Sequence, residues 1–416
     1  MGTIRYVGVL AGALAAVTSL ALSGCGRAGG TDTALFVPAA SPSATASTTP
    51  AEITITPAHG ATDVPASAEI TASARGATIT TVSVAEVGGR AVSGRWRDDR
   101  SSWVPDTPLK YGTRYVATVT ATSDSGETVT KTATFRTMGK PSSFTGTGLY
   151  LFDGGVYGVA MPVVVEFHPG VPKKYRASVQ KRLFVETDPP QPGAWHWLDD
   201  GTQAYYRAPE FWKPGTTLSV RIAVGGHPTG PGRYGDTDRS ATAQIGEKLV
   251  MVVDNKTKSM QVFKDDKLVR TMPVSLGAPR TPSSSGTMVV MEKLRKTVFD
   301  TYDELGPEEG YRIDIEYAQR LTWGGEFIHS APWSVADQGV RNVSHGCVNL
   351  SPDNARWLFN QTKIGDPITV KGTEVKLRPG NGWTAWDMTW EEFVKGSALP
   401  VHVASPPSGG LLAAES

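Results

Sequence analysis

The chain is poor in cysteine: its 416 residues contain only two, Cys25 and Cys347. They lie in different contexts, because Cys25 follows an apolar N-terminal run whereas Cys347 lies in a short glycine-containing turn. A structural disulfide between them is not expected, and a disulfide-stapled scaffold is excluded. In a secreted protein, a cysteine without a partner indicates a reactive thiol.

The chain also lacks an excess of either charge. Its 41 Lys and Arg and 40 Asp and Glu give a formal net charge of +1. The patterns of helix-turn-helix, RNA-recognition and zinc-finger proteins are absent, so nucleic acid is not an expected partner. The apolar run from Val7 to Leu22 is short for a stable transmembrane helix.

The N-terminal region predicts export. Residues 1 to 24 have the features of a signal peptide, with Arg5 before the apolar run and Leu22-Ser23-Gly24-Cys25 at its end. Residues 25 to 50 are mostly Ala, Ser, Thr, Pro and Gly, which predicts a disordered tether without a core.

The next two segments predict an all-β architecture. Residues 51 to 139 alternate with period two and have turn signals about every ten residues, which is typical of a β-sandwich. Residues 140 to 246 predict a second copy, because Tyr111-Gly112-Thr113 and Pro214-Gly215-Thr216 both precede a strand. Neither module has a cysteine pair, so both are immunoglobulin-like in architecture only. They are either rigid spacers or surfaces that contact glycan.

Residues 247 to 371 predict a β-rich catalytic domain, with a hairpin turn at Asp265-Asp266 and one main helix after Cys347. Residues 372 to 416 form a C-terminal extension that contains three closely spaced tryptophans and a capping box at Thr389. We expect these tryptophans to pack on the catalytic domain. The alternative is an exposed surface that stacks on carbohydrate.

Cys347 is the candidate nucleophile, with His329 and His345 as candidate bases. Ser351-Pro352-Asp353 reads as an N-cap, a first helical position and an acidic first turn. This pattern places the thiol just ahead of a helix N-terminus, whose partial positive charge favours the thiolate. His329 is the better base, because it ends the strand-like run Phe327-Ile328-His329 and would be held rigidly.

Three motifs carry a resemblance to a known family. They are Phe327-Ile328-His329-Ser330, Ser344-His345-Gly346-Cys347-Val348-Asn349-Leu350-Ser351 and Thr281-Pro282-Ser283-Ser284-Ser285-Gly286-Thr287. Together they resemble the L,D-transpeptidases, the YkuD-type cysteine enzymes of bacterial peptidoglycan, over roughly residues 247 to 371. The flanking regions are similar to the multi-domain mycobacterial lipoprotein members.

The resemblance implies roles for the site residues. His329 would be the base, oriented by the Ser330 backbone carbonyl, and His345 would be structural or lie on the oxyanion side. The N–H groups of Gly346 and Cys347 are natural oxyanion donors, and Tyr311 would assist from a mobile lid at residues 295 to 311. Substrate contacts are expected from five residues, Tyr311, Ser330, Trp333, Ser344 and Asn349. Arg356 is expected to be a surface residue.

The resemblance also implies a reaction and partners. Cys347 would attack the diaminopimelate–D-Ala bond of a tetrapeptide stem, release D-Ala and pass the acyl group to the diaminopimelate amine of a second stem. The partners would be peptidoglycan stem peptides, with carbapenem-type β-lactams as covalent inhibitors, and no cofactor is implied. The lipobox-like Cys25 would be lipidated, for example with palmitate, and would anchor the protein in the cell envelope on the outer face of the cytoplasmic membrane.

Four alternatives remain open at the level of sequence. His329, His345 and Cys347 could bind zinc, although their spacing matches no strong zinc pattern. A sortase-like transpeptidase shares the order of His and Cys but has sequence features that are absent here. Water could replace the amine, which would give a carboxypeptidase. The chain could also be a wall-anchored binding protein with an inactive cysteine domain.

Overall fold

A computed structural model describes residues 52 to 401, without the side chains of residues 303 to 305 and 309. The signal peptide, the tether and Cys25 lie outside the described residues. The structure contains 45% strand and 9% helix, which confirms the predicted mainly β class. Between residues 52 and 401, no helix has both the length and the apolar character needed to cross a bilayer.

The first β-sandwich consists of one four-stranded sheet, in the order β4-β3-β7-β8, and two two-stranded ribbons, β1-β2 and β5-β6. The strands are β1 Glu52–Thr56, β2 Thr71–Arg75, β3 Thr78–Glu86, β4 Ala91–Val92, β5 Gly94–Trp96, β6 Trp103–Pro105, β7 Arg114–Thr122 and β8 Thr128–Arg136. Along β7, Tyr115, Ala117, Val119 and Ala121 are buried and alternate with more exposed residues. This period of two places one face of the sheet on the core.

The second β-sandwich has a six-stranded sheet, β13-β14-β11-β9-β17-β16, and a four-stranded sheet, β10-β18-β15-β12. Its elements are β9 Phe144–Leu149, β10 Val156–Tyr157, β11 Val163–His168, α1 Lys173–Gln180, β12 Leu183–Asp188, β13 Ala194–Trp197, β14 Gln203–Arg207, β15 Thr217–Ile222, β16 Pro228–Gly230, β17 Arg233–Gly235 and β18 Arg239–Ile245. Gly112 and Gly215 have φ of +63° and +81° before β7 and β15, a conformation that favours glycine.

The catalytic region packs two sheets around one core. Its elements are β19 Leu249–Asp254, β20 Ser259–Lys264, β21 Lys267–Pro273, β22 Ser284–Val289, β23 Glu292–Asp300, α2 Tyr302–Glu309, β24 Arg312–Arg320, β25 Phe327–Ser330, β26 Val348–Leu350, α3 Pro352–Gln361, β27 Pro367–Lys371 and β28 Val375–Lys376, with a 3-10 helix at Pro332–Ser334. The six-stranded sheet has the order β21-β20-β19-β27-β22-β28, and the four-stranded sheet has the order β23-β24-β25-β26. Ala355 and Leu358 of α3 are buried in the core that the two sheets share.

The segment predicted as a mobile lid is mostly regular structure. Residues 295 to 300 belong to β23, which pairs along its length with β24, and α2 follows at the tip of this hairpin. The expectation of a turn-rich loop in this segment was therefore incomplete, whereas α3 is the main helix after Cys347, as predicted. Gly306 interrupts α2 with φ of +76°, so the tip is two short helical turns.

The C-terminal extension contacts the catalytic region, as expected, and also the second sandwich, which the prediction did not include. Trp383 and Phe393 are buried in the core of the second sandwich, which also includes Met291 of the catalytic region. The Trp386 indole N–H donates to the Ala160 carbonyl at 2.7 Å. The short helix α4, Trp390–Lys395, begins with the predicted capping box at Thr389. The extension, which we call the C-terminal strap, thus joins the second sandwich to the catalytic region, because its apolar side chains pack in a cluster that contains residues of both.

Candidate active site

The register of two parallel strands brings His329 and Cys347 together. His329 of β25 lies opposite Asn349 of β26, and Cys347 immediately precedes β26. Because side chains alternate between faces, His329, Asn349 and Cys347 point to one face of the sheet. Ile328 and Val348 point to the other face and are buried in the core. Alternating core residues therefore fix the direction of both catalytic candidates.

Two serine hydroxyl groups, those of Ser344 and Ser283, hold the turn that carries the thiol. Ser344 Oγ donates to the Cys347 carbonyl at 2.7 Å and accepts from the Gly346 N–H at 3.2 Å. Gly346 has φ of +116°, which only glycine adopts without strain. Its carbonyl accepts from Ser283 Oγ at 2.7 Å, and Ser283 Oγ accepts from the Gly277 N–H at 2.9 Å.

The Cys347 thiol is neutral at rest, contrary to the expectation of a stabilised thiolate. Burial raises its pKa to about 12, and the Glu326 carboxylate acts in the same direction. A backbone hydrogen bond with Phe327 lowers the thiol pKa but does not offset the effect of burial. Ser351 does cap α3 as predicted, since its hydroxyl accepts from the Asn354 N–H.

His329 is oriented as a base. Its Nδ1–H donates to the Ser330 carbonyl at 2.9 Å, which leaves the Nε2 lone pair as the acceptor. Burial lowers the pKa of His329 to about 4, so the ring is neutral at pH 7. The Phe299 and Trp333 rings flank the imidazole, with centroid distances of 5.3 and 6.0 Å. The neutral imidazole and the Cys347 thiol line the same cavity, and the thiol donates to the Gly325 carbonyl at 3.7 Å.

Two cavities meet at Cys347. One, of about 410 Å³, is lined by His329, Trp333, Asn349 and Ser344, and we call it the His329 cavity. The other, of about 420 Å³, is lined by Trp323, Arg320 and Thr281, and we call it the Trp323 cavity. Four residues line both cavities: Phe299, Tyr311, His345 and Cys347. A thiol at the junction of two cavities can accept a group from one and deliver it to a molecule in the other.

Comparison with known proteins identifies the family. A model of the L,D-transpeptidase catalytic domain matches residues 248–370, and a model of a bacterial Ig domain matches residues 61–228. L,D-transpeptidase 2 of Mycobacterium tuberculosis is 32% identical over 351 residues, which is 83% of this chain and 85% of that protein. L,D-transpeptidase 5 of the same species is 33% identical over 363 residues, 85% of this chain and 78% of that protein.

The chain belongs to the L,D-transpeptidase family.

Solved structures of the family include L,D-transpeptidase 3 of Mycobacterium tuberculosis with a faropenem-derived adduct. It is 28% identical, covers 54% of this chain and 97% of its own chain, and has a TM-score of 0.45. An L,D-transpeptidase from Mycobacterium smegmatis is 33% identical, covers 55% of this chain and 99% of its own, and has a TM-score of 0.43. Family membership makes the present chain a transpeptidase enzyme of the cysteine type.

The remaining predicted site residues of this L,D-transpeptidase surround the same cavities in different ways. His345 is exposed, and its ring lies 5.4 Å from that of Tyr311 on the hairpin. Asn349 Nδ2 donates to Ser334 Oγ at 3.1 Å, which anchors the short helix that carries Trp333. Among the residues that the structure describes, the buried Asn349 Oδ1 has no protein hydrogen-bond partner.

Ser330 and Gly346 support the site through their backbone groups. Ser330 lines neither cavity, and its backbone carbonyl orients His329 as the resemblance implied. The Gly346 N–H is already bonded to Ser344, so the Cys347 N–H and the Tyr311 hydroxyl are the better oxyanion candidates. Arg356 is exposed and pairs with Asp353, as expected for a surface residue.

Within residues 52 to 401, no group of three or more potential ligands could hold a metal ion.

Sequence reasoning missed Glu326 and the supporting role of Ser283. Glu326 Oε1 accepts from both the N–H and the hydroxyl of Ser284, each at 2.9 Å. A side chain added at Gly346 would lie 3.5 Å from the Glu326 Cγ, so the carboxylate lies directly behind the nucleophile turn. Burial raises the pKa of Glu326. The Thr281 to Thr287 motif was the available signal, since Ser283 and Ser284 belong to it.

Proposed function

We propose that this L,D-transpeptidase cross-links the diaminopimelate residues of two peptidoglycan stem peptides through an acyl-enzyme on Cys347. The observation that carries the proposal is the position of Cys347 at the junction of the two cavities, beside the oriented His329. The family of the chain supports the substrate class. One cavity would hold the donor stem and the other the acceptor stem.

In the first half-reaction, Cys347 Sγ attacks the carbonyl carbon of the diaminopimelate–D-Ala bond. His329 Nε2 accepts the thiol proton as the S–C bond forms, because the resting thiol is neutral. The C–N bond then breaks, the proton passes to the leaving amine, and D-Ala departs. The thioester keeps the energy of the amide bond available without ATP.

In the second half-reaction, the side-chain amine of the acceptor diaminopimelate attacks the thioester carbonyl. His329 Nε2 takes a proton from the attacking nitrogen, and the C–S bond breaks. The thiolate recovers the proton from His329, which restores the resting pair. Water attacking in place of the amine would release a tripeptide, so a dry Trp323 or His329 cavity favours transfer over hydrolysis.

The negative oxygen of both tetrahedral intermediates needs nearby donors. The Cys347 N–H and the Tyr311 hydroxyl are our candidates, because Tyr311 lines both cavities above the thiol. Asn349 Oδ1, which is buried at 2% exposure of its residue, would accept a hydrogen bond from the donor stem in the His329 cavity. The same machinery would acylate Cys347 with a carbapenem-type β-lactam, since ring opening is also attack at an amide carbonyl.

The proposed location is the cell envelope. The apolar run before Cys25 and the small residues around it support export followed by lipidation at Cys25, which would anchor the chain on the outer face of the cytoplasmic membrane. Residues 26 to 50 would then span the distance from the membrane to the wall. Mass analysis of the protein from a membrane fraction tests this: a diacylglycerol-modified N-terminal cysteine supports it, and an unmodified cleaved chain overturns it.

The reaction is tested by intact-mass measurement after mixing the protein with a diaminopimelate-containing tetrapeptide stem. We expect an adduct of the stem minus D-Ala on wild type but not on Cys347→Ala, together with cross-linked dimer in solution. Release of D-Ala with tripeptide and no dimer would mean a carboxypeptidase. A lack of both adduct and release would refute the substrate class.

A further inference from the structure

One large cavity lies away from the catalytic site, between the two β-sandwiches. It has a volume of about 720 Å³. The first sandwich contributes β5 and the turn after it, and the second contributes β12, β13, β14 and β15. We call it the intermodule groove. Pockets of this size between modules are a common location of small-molecule sites.

Aromatic rings from both modules line this groove. Trp96 comes from the first sandwich, and Phe184, Trp195 and Tyr206 come from the second. Trp96, Phe184 and Tyr206 are only half-buried, so part of each ring faces the groove. The Trp195 and Tyr206 rings lie 5.2 Å apart at a tilt of 55°, which forms a continuous aromatic wall. Such rings offer a flat apolar surface that loses little conformational entropy on binding.

Planar charged groups alternate with these rings. Arg97 and Arg221 lie over the Phe184 ring at 4.9 and 6.0 Å, and both are held by carboxylates, Glu69 and Asp238. Their guanidinium groups are therefore fixed. Arg95 and Glu186 form a 3.5 Å pair across the groove, with side chains 58% and 63% exposed. An exposed pair of this kind contributes little and can open to bind a ligand.

We infer that the intermodule groove is a carbohydrate-binding site, and the choice of ligand, a chain of N-acetylated amino sugars, rests on the proposed peptidoglycan substrate. Sugar rings have apolar C–H faces that stack on Trp and Tyr, and an equatorial belt of hydroxyl and amide groups that pair with Arg, Asp and Glu. The charges that line the groove are balanced, with three arginines, Arg95, Arg97 and Arg221, against Asp98, Asp99 and Glu186. This balance favours a neutral polar ligand over a strongly charged one.

An extended peptide fits the same surface less well. The strand β12 is at the edge of its sheet and could pair with a peptide. However, Phe184 and Glu186 of β12 already contact the first sandwich. Arg97 lies over the Phe184 ring, and Arg95 pairs with Glu186. These contacts bring Arg95 and Arg97 of the first sandwich against β12 and leave less room for a peptide there. A sugar chain needs only the side-chain surface that is already present.

The test is calorimetric titration of the full-length protein with chitotetraose, a tetramer of N-acetylglucosamine that carries no peptide. We expect saturable binding with a Kd of about 0.1 to 1 mM, as is usual for a few stacked rings with hydrogen bonds. Because the probe has no stem peptide, Cys347 takes no part. A failure of this binding therefore leaves the proposed transpeptidation untouched, and the reverse also holds.

Matched variants locate the site. Trp96→Ala should weaken binding at least about tenfold, whereas Trp96→Phe keeps a ring and should weaken it about twofold. Phe152→Ala removes an aromatic ring that is 69% exposed on the second sandwich, outside the groove, and should bind as wild type does. The double variant Arg95→Gln/Glu186→Gln changes only exposed side chains and should weaken binding about threefold or more. If Trp96→Ala does not fold, this double variant tests whether the groove binds the sugar.

Three results would overturn the inference. They are an absence of heat with wild type up to about 10 mM chitotetraose, equal affinities in wild type and the groove variants, and an equal loss of affinity in Phe152→Ala. Binding of stem peptides to the groove in place of the sugar would also overturn it.

Discussion

His329 of β25 and Cys347, which directly precedes the adjacent parallel strand β26, point to the same face, with only 3% and 8% of their surfaces exposed. Burial acts on the two groups in opposite directions, because it disfavours whichever form is charged. It lowers the pKa of His329 to about 4 and raises that of Cys347 to about 12. The resting site is thus a neutral pair, unlike the thiolate–imidazolium pair of many cysteine enzymes. The thiol becomes nucleophilic only as its proton moves to His329.

The first prediction concerns simple alkylation. The rate at which iodoacetamide modifies Cys347 should be low at pH 7 and should still increase about tenfold per pH unit between pH 8 and 9, because the thiolate fraction is far from saturation. Mass spectrometry of the modified protein measures the rate. Cys347→Ala provides the baseline, since no other described residue is a free cysteine. A rate that levels off below pH 7 would show that the thiol is already ionised.

The second prediction concerns acylation by a carbapenem. Neutral His329 is needed as the base, and its folded pKa is about 4 rather than the usual 6.5. The acylation rate should therefore change little between pH 7 and 5 and should fall as the pH approaches 4. Stopped-flow absorbance of the opening β-lactam gives the profile. His329→Gln should acylate more slowly by about two to four orders of magnitude. A wild-type profile with a midpoint near 6.5 contradicts the neutral-pair description.

The third prediction concerns Glu326. Its carboxylate is one reason that the pKa of Cys347 is raised, after burial. Glu326→Gln removes the charge but keeps an oxygen for the Ser284 N–H and hydroxyl. The variant should be alkylated about two to five times faster than wild type at pH 9, because the thiol pKa falls.

The control for Glu326 is Asp387→Asn. Asp387 is another partly buried carboxylate that accepts from a backbone N–H, that of Thr287, at 2.8 Å. It should leave the alkylation rate unchanged. If both variants accelerate alkylation equally, the effect of Glu326 is a general loosening of the fold. If neither does, the carboxylate has no electrostatic influence on the thiol.

Much of this site could be predicted from sequence because its signals are local. The capping pattern at Ser351 placed the start of α3, and the strand-like run to His329 placed the base on β25. The Asp265-Asp266 turn also formed as predicted, with both residues at positive φ. In each case residues that are close in sequence determine the local structure, so the sequence alone predicts it.

The errors came from relationships across long stretches of chain. The thiol pKa depends on the packing of β24, β25 and Glu326 around Cys347, which no local pattern reveals. The C-terminal tryptophans were expected on the catalytic region alone, whereas the cluster that they join also contains the core of the second sandwich. The support that Ser283 gives to the Gly346 carbonyl joins residues more than sixty positions apart.

The fourth prediction concerns the hydrogen bond that Ser283 donates to the Gly346 carbonyl. Ser283→Ala leaves the Gly346 carbonyl and the Gly277 N–H without their partner in a buried environment, which should cost about 1–3 kcal/mol of folding free energy. Because the turn positions Cys347, the carbapenem acylation rate should fall as well. Ser285→Ala is the matched control, since Ser285 is only half-buried and bonds to Thr373 away from the thiol. Equal acylation rates in the two variants would show that Ser283 does not position the turn.

The fifth prediction concerns the C-terminal strap. Phe393 of α4 is fully buried against the second sandwich, where the His196 ring stacks at 5.0 Å and the Arg207 guanidinium lies 4.4 Å from its centroid. Phe393→Ala should destabilise the second sandwich by about 3–5 kcal/mol, because a large cavity opens in a packed core. A lower midpoint in the urea transition of tryptophan fluorescence measures this loss, since several tryptophans lie in that core.

The same variant separates stability from catalysis. Cys347 and His329 are positioned by the sheet of β23 to β26 and its own core, which does not include Phe393. The folded variant should therefore acylate with a carbapenem at a rate within about twofold of wild type. Lys395→Ala, at an exposed position of the same helix, should change stability by less than about 0.5 kcal/mol. If Phe393→Ala is no less stable than Lys395→Ala, the tail does not hold the sandwich. If Phe393→Ala is folded but acylates slowly, the C-terminal strap influences the active site by a route other than the stability of the second sandwich.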